Sequence, residues 1–217
     1  MQNMNIATIA IIVVNVLVSL KGFNDLGFFE RYKFNIGGIE AGQKDRMFTS
    51  GFLHVDISHL LFNMLTLYFF ADVVINAFGP LQFAGIYLIS LAAGSLLGYS
   101  FHKDEPHYSA VGASGAVTGI LYAAILLQPQ MSLYLFFVPI PIPAYVFGIG
   151  YLLYSIYGMK SRSDNIGHTA HFGGAIGGFV TTLLFKPSLL TENALMVGLL
   201  AIPIIILFVM EKTGKLN

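Results

Sequence analysis

The sequence contains no cysteine, which excludes disulfides, thiolate metal sites and cysteine nucleophiles. Charged residues make up only 10% of the chain, whereas about 25% is usual in a soluble domain. Hydrophobic residues reach 56%, so most of the surface must face something other than water. The 11 acidic and 11 basic residues cancel, and nothing in this balance indicates a nucleic acid partner. The composition therefore predicts an integral membrane protein.

Seven apolar stretches approach the ~20 residues that a membrane-crossing helix needs. They cover about residues 6–20, 58–78, 81–101, 114–127, 133–157, 166–185 and 194–209. The first has no basic start and no small-residue cleavage site, so we interpret it as a retained span rather than a signal peptide. The fifth contains Pro139, Pro141 and Pro143, which cannot continue a helix, and its helix should begin near Ala144. The fourth is short, so its first residue should lie below the membrane surface.

One polar segment, residues 21–50, separates the first two apolar stretches. It mixes both charges with aromatic residues, which are favoured where a chain meets the membrane surface, so we expect it to pack on or in the interface. No internal repeat, low-complexity tract or soluble domain is apparent. The predicted fold class is an all-α polytopic membrane protein, with residues 1–217 forming a single transmembrane domain.

A serine between glycines opens the fourth apolar stretch, in the sequence Gly112-Ala113-Ser114-Gly115. Gly119 follows Gly115 by four residues, which gives this helix a small-residue face that another helix can approach closely. Ser114 is either a packing and N-capping residue or a nucleophile. The second interpretation requires a base within reach of the hydroxyl.

The sixth apolar stretch supplies a candidate base. His171 precedes Gly174 and Gly178 by three and seven residues, so all three share one helix face. If that face packs against Gly115 of the fourth helix, His171 meets Ser114. The alternative is a structural histidine bonded to a backbone carbonyl. Ionisable groups inside membranes are costly, which favours a functional role.

The second apolar stretch carries His59 and Asn63, which are four residues apart and share a face. With the backbone N–H of Ser114 they would form an oxyanion hole, in which each donor is worth about 3 kcal/mol. The alternative is polar contact between helices, worth about 0.6 kcal/mol per pair. The sequence assigns no role to His54, five residues before His59.

The three groups all come early in the second, fourth and sixth helices, which would cross a membrane in the same direction. His59, Ser114 and His171 should therefore lie at similar depth on one side. The sequence thus predicts a nucleophile, a base and oxyanion donors contributed by three separate helices.

These motifs resemble those of the rhomboid family of intramembrane serine proteases, over roughly residues 46–185. The family's G-x-S-G appears at 112–115, its H-x-x-x-N at 59–63 and its A-H-x-x-G-x-x-x-G at 170–178, in the family's order. The resemblance implies a rhomboid-like bundle of six transmembrane helices. Residues 194–209 would add the seventh, carboxy-terminal helix that some members carry.

The resemblance also implies a Ser–His dyad without an acid. Ser114 would attack the peptide carbonyl, and His171 would take its proton and later give it to the leaving amine. His59, Asn63 and the Ser114 amide would hold the oxyanion. The expected partners are transmembrane substrates with an unstable helix near the cut, and membrane lipid. No cofactor and no metal are expected.

Three positions depart from the family pattern. Its Trp-Arg pair before the second helix reads Asp45-Arg46, and the aromatic residue that often supports the histidine, four residues after the serine, is Thr118. An acid often found late in the second helix is replaced by Ile75. None of these changes removes a catalytic group, but the first two bear on the rate and on how the histidine ring is held.

The sequence is also compatible with other functions. A catalytically inactive rhomboid-like protein would bind transmembrane segments without cutting them, although such proteins usually lose the serine or the histidine. A metal site would use His168 and His171, but no H-E-x-x-H motif and no nearby acid complete it. A transporter would more often show inverted repeats and helices broken at the midplane.

The charge distribution and the resemblance predict opposite orientations. The resemblance puts the amino terminus inside and the active site on the outer side of a membrane that we expect to be the bacterial inner membrane. Only Lys186 of the eleven Lys and Arg residues would then lie inside, against the positive-inside rule. Five of the eleven lie between Lys21 and Arg46, in the polar segment, and this weakens the rule here.

Overall fold

The computed structural model describes residues 4–135, 138–161 and 166–216, and most of this part is helical. The helices are Ile6–Asn24 (α1), Leu26–Tyr32 (α2), Ile36–Glu40 (α3), Arg46–Thr49 (α4), Ile57–Phe78 (α5), Pro80–His102 (α6), Ser114–Leu127 (α7), Ala144–Ser161 (α8), His168–Phe185 (α9), Leu189–Glu192 (α10) and Ala194–Lys212 (α11). A 3₁₀ turn covers Ser50–Phe52. Two small antiparallel sheets pair Phe34–Asn35 (β1) with Ser109–Ala110 (β2), and Ser132–Leu135 (β3) with Val138–Pro143 (β4).

Within the described ranges, four helices, α1, α5, α6 and α11, are long and apolar enough to cross a membrane. Helix α7 has 14 residues, as short as the sequence predicts, and α8 and α9 have 18 residues each. The chain is therefore a mainly helical, multi-pass integral membrane protein. The total of seven crossings stays a prediction.

The turn between α5 and α6 follows from its local sequence. Gly79 ends α5 with φ of 87°, a left-handed conformation that favours glycine, and Pro80 begins α6, where its missing N–H has no helical partner to lose. At the other end of α5, the Asp56 carboxylate accepts a hydrogen bond from the N–H of His59 at 2.7 Å.

The proline-rich segment is a strand and not part of a helix. Pro139, Pro141 and Pro143 lie in β4, and α8 begins at Ala144, as predicted. Leu133, where the fifth apolar stretch begins, lies in β3, opposite Ile142 of β4. Prolines lack the N–H that a helix needs but are tolerated in an edge strand.

Helix α9 lies between α6 and α7, and it has glycines on both contact faces. Towards α6, a Cβ added to Gly173 would lie 2.6 Å from the carbonyl oxygen of Ala93, and one added to Gly177 would lie 2.8 Å from the Cα of Ser90. Real Cβ atoms do not come so close to a backbone. These two helices can therefore touch only because the side chains are absent.

Towards α7, Gly174 and Gly178 meet Gly115 and Gly119. A Cβ on Gly174 would overlap the carbonyl group of Gly115, and one on Gly178 would lie 2.6 Å from the carbonyl carbon of Gly119. The small-residue faces expected from the spacing therefore pack against each other. This contact brings the first turns of α7 and α9 together.

The polar segment between α1 and α5 is held by one buried arginine. Arg46 is 8% exposed, and its guanidinium donates hydrogen bonds to the carbonyl oxygens of Glu30 at 2.8 Å and Lys33 at 2.9 Å. Asp45 stands where the family pattern has tryptophan and pairs with Arg31 at 2.8 Å. Both partners are exposed, so this ion pair adds little stability.

We expect Gly178→Ala to lower the free energy of unfolding by about 1–3 kcal/mol, because the new methyl group would separate α9 from α7. Gly198→Ala in α11 is the matched control, since no atom lies within 4 Å of its added Cβ. Removing that glycine should leave stability unchanged or raise it by up to about 1 kcal/mol. Equilibrium unfolding in detergent micelles measures both, and equal stability of the two variants would contradict the packing described above.

Candidate active site

One cavity of about 920 Å³ opens among α5, α6, α7, α8 and α9. Ser114, His171, His59 and Asn63 all line it, so the four residues singled out in the sequence lie together. His59, Ser114 and His171 each belong to the first turn of their helices. Three helix N-termini thus meet at the cavity, and the partial positive charge at each favours a negative group there.

Ser114 is the first residue of α7 and lies half-buried at the cavity. The residue in the N-cap position is Ala113, and no side chain caps this helix. The N-cap interpretation of Ser114 was therefore wrong. Gly115 and Ala170, the neighbours of Ser114 and His171 in the chain, touch: a Cβ on Gly115 would lie 3.0 Å from the carbonyl oxygen of Ala170.

Gly112 is required by both its backbone and its surroundings. Its φ of 131° is one that residues with a side chain rarely adopt. A Cβ at this position would lie 2.8 Å from Nε2 of His59 and 3.6 Å from Oγ of Ser114. The ring of His59 and the hydroxyl of Ser114 therefore border the same small space beside Gly112.

Two hydrogen bonds hold the loop before Ser114. The N–H of Gly112 donates to the carbonyl of Ser50 at 3.0 Å, and the N–H of Ala113 donates to Nε2 of His54 at 3.4 Å. The next N–H is that of Ser114, in the first turn of α7, where amides have no partner inside the helix. This amide is suited to bind an anion at the cavity.

His59 and Asn63 lie one turn apart on α5. The side-chain amide of Asn63 donates to the carbonyl of His59 at 3.1 Å, which fixes its orientation and leaves its second hydrogen for another acceptor. Asn63 is 7% exposed, whereas His59 is half-buried. Both side chains can donate into the cavity.

His171 is supported by a tyrosine from α8. The hydroxyl of Tyr151 lies 2.8 Å from Nδ1 of His171, and the two rings stack at 5.9 Å with an angle of 24°. The same hydroxyl lies 3.4 Å from Oγ1 of Thr118. The aromatic support that the family pattern puts four residues after the serine is thus provided by another helix, and Thr118 contacts it.

The sequence interpretation missed Tyr151 and left His54 without a role. Helix α8 contains four tyrosines, and nothing in their spacing distinguishes the one that meets His171. His54 is fully buried in the loop before α5. This burial is the feature that singles His54 out, and it cannot be read from the sequence because it exists only in the folded chain.

The metal alternative finds no support in the part of the chain that the structure describes. No group of three histidine, aspartate or glutamate side chains there is arranged to hold a metal ion. His168 is 4% exposed, and its ring lies edge-on to that of His171 at 6.3 Å. It also packs edge-on against Tyr154, at 5.3 Å.

Residues 41–188 match the family profile described as the Rhomboid domain. RHOMBOID-like protein 12, mitochondrial, of Arabidopsis thaliana is 31% identical over 175 residues, which are 74% of this chain and 52% of that protein. Rhomboid protease GluP of Bacillus subtilis is 33% identical over 141 residues, 65% of this chain and 26% of that protein. Human presenilin-associated rhomboid-like protein, mitochondrial, is 30% identical over 138 residues, 61% of this chain and 35% of that protein.

The chain thus spans about half the length of the first of these relatives, and less of the other two. Two of the three are named as mitochondrial, so the relatives do not favour the bacterial inner membrane that we expected. The profile match covers the three motifs and the helices that carry them. On this match and these identities, the chain belongs to the rhomboid family.

Proposed function

We propose that this protein is an intramembrane serine endopeptidase that cleaves membrane-spanning substrates in or near the bilayer, with Ser114 and His171 as its catalytic dyad. The observation that best supports this proposal is that Ser114, His171, His59 and Asn63 line one cavity at the N-termini of three helices. An inactive family member would have no need for a serine and a histidine at these two positions.

In the first half of the proposed reaction, Ser114 Oγ attacks the carbonyl carbon of the substrate peptide while its proton passes to His171. The carbonyl oxygen becomes an oxyanion, held by the Ser114 N–H, His59 and Asn63. The C–N bond then breaks, His171 gives its proton to the leaving amine, and an ester on Ser114 remains. Water attacks this ester with His171 again as base, which releases the acid and restores the hydroxyl.

Tyr151 bears on which nitrogen of His171 works as the base. The two ring nitrogens are distinct, and a hydrogen bond at one determines the role of the other. The Tyr151 hydroxyl lies at Nδ1, and in the proposed mechanism its oxygen accepts the hydrogen of Nδ1–H, which leaves the lone pair on Nε2. The Tyr151 hydroxyl would orient the His171 ring as the acid does in a serine protease triad, but without a negative charge.

The proposed substrates are transmembrane proteins whose helix is unstable near the cut. A peptide carbonyl inside a helix is already hydrogen-bonded and hidden, so the segment must unwind before Ser114 can reach it. Exposed side chains such as Val55 and Phe62 are among those that line the cavity. They would give an unwound segment and water a route to Ser114, with membrane lipid around it.

We expect Ser114→Ala and His171→Ala to lower cleavage of a generic single-span substrate at least about a thousandfold, because each removes one half of the dyad. Labelling by a fluorophosphonate should vanish in Ser114→Ala. The measurement uses purified protein in liposomes, with Ser58→Ala and His107→Ala, both exposed, as matched controls that keep full activity. If the wild type captures the substrate but neither cuts nor labels, the inactive rhomboid-like function replaces the proposal.

Tyr151→Phe should lower kcat by about fivefold to tenfold with KM unchanged, since it keeps the ring stack but removes one hydrogen bond worth about 1 kcal/mol. Tyr157→Phe is the control, because Tyr157 is 64% exposed on the same helix. Steady-state cleavage in detergent separates the two constants. A Tyr151→Phe variant with wild-type kcat would show that the hydroxyl does not orient His171.

The carboxy-terminal tail and the candidate site should lie on the same side of the membrane. Leu216 is 6% exposed and lines a second cavity, of about 230 Å³, together with His168 of α9 and His102 at the end of α6. A reporter fused after Asn217 should therefore give the outer-side signal when the amino terminus is inside. A cytoplasmic signal would reverse the orientation proposed from the family.

A further inference from the structure

His54 is a fully buried histidine near the site, and the proposed reaction does not use it. Its Nδ1 lies 2.8 Å from the hydroxyl of Ser19 in α1, and that hydroxyl donates to the carbonyl of Phe52 at 3.0 Å. Because the single hydroxyl hydrogen is used on Phe52, the Ser19 oxygen accepts from Nδ1–H. Nε2 then carries the lone pair, which accepts the N–H of Ala113 at 3.4 Å.

His54 also packs against the other element of the proposed oxyanion hole. The rings of His54 and His59 meet edge to face, with centroids 4.9 Å apart at 73°. Nδ1 of His59 is buried and has no hydrogen-bond partner within the described residues. The His59 ring is therefore held by packing against His54 on one side and Gly112 on another, and not by a hydrogen bond to its Nδ1.

We propose that His54 is a positioning residue for the oxyanion hole, acting through both the Ala113 amide and the His59 ring. By holding the N–H of Ala113, it directs the next amide, that of Ser114, towards the substrate carbonyl. By packing on His59, it keeps that ring beside Gly112 and Ser114. This inference rests on the proposed protease function.

Its environment keeps His54 in the form that this role needs. Burial, with a smaller contribution from neighbouring His59, lowers the pKa of His54 from 6.5 to about 3. The side chain therefore stays neutral at working pH and keeps its lone pair on Nε2 for the Ala113 amide. In the proposed reaction His54 neither takes up nor releases a proton, whereas His171 does both.

A purely structural role is the competing explanation, because His54 also ties α1 to the segment before α5 through Ser19. Three variants separate the two roles. His54→Gln puts a carbonyl oxygen near the position of Nε2 and can still accept from Ala113. His54→Asn is shorter, and keeps a donor for Ser19 but no acceptor for Ala113. Ser19→Ala removes the tie to α1 and leaves the Ala113 contact in place.

The experiment measures kcat, KM, the rate of fluorophosphonate labelling and the thermal midpoint for the wild type and these three variants. We expect His54→Asn to lower kcat about tenfold or more with KM unchanged, because an oxyanion hole acts mainly in the transition state. Labelling should slow in parallel, since the phosphonyl oxygen occupies the same place. His54→Gln and Ser19→Ala should keep kcat within about threefold of wild type.

Other outcomes overturn the proposal. Wild-type kcat in His54→Asn would do so directly, as would a rise in KM at constant kcat. A loss of kcat that follows the thermal midpoint equally in all three variants would assign His54 a structural role. In each of these cases a wild type that cleaves and labels leaves the protease function intact. If the wild type does neither, the proposed function fails, and the role of His54 fails with it.

Discussion

The contact between the backbones of α7 and α9 is the constraint on which the rest of the site depends. Lipid chains are as apolar as the helices, so no hydrophobic force drives helices together inside a membrane, and close packing must do it. Gly174 and Gly178 allow that packing against Gly115 and Gly119. The candidate nucleophile and base come from these two helices, and the distance between them is set by backbone atoms that cannot adjust as side chains can.

The candidate site lies at the N-terminal ends of helices, where the first backbone amides have no hydrogen-bond partner within the helix. The loop before Ser114 is held at Ser50 and His54, which accept hydrogen bonds from the amides of Gly112 and Ala113. These contacts hold the segment that leads to the candidate oxyanion donor at Ser114, and Tyr151 of α8 supports His171 of the candidate dyad. A polar site in an apolar bundle is built from groups that the helices themselves leave unsatisfied.

Much of the site was predictable because its signals are local. The glycine spacing predicted the helix pair, and the alternating prolines predicted the start of α8 at Ala144. Tyr151 could not be predicted, because its contact joins α8 to α9 and nothing in the sequence distinguishes it from the three other tyrosines of α8 as the partner of His171. The bonds of His54 to Ser19 and Ala113 could not be predicted either, because they depend on how distant segments meet.

The two glycine faces of α9 also have a consequence for evolution. Positions 173, 174, 177 and 178 have room for a hydrogen atom and nothing larger, so almost no substitution at them would be neutral. The other side of the same helix has exposed residues such as Val180 and Leu184, where other apolar side chains that suit a helix would meet no packed neighbour. Sequence divergence within α9 should therefore be confined to its exposed face. A new function of this helix would have to arise from substitutions on that face.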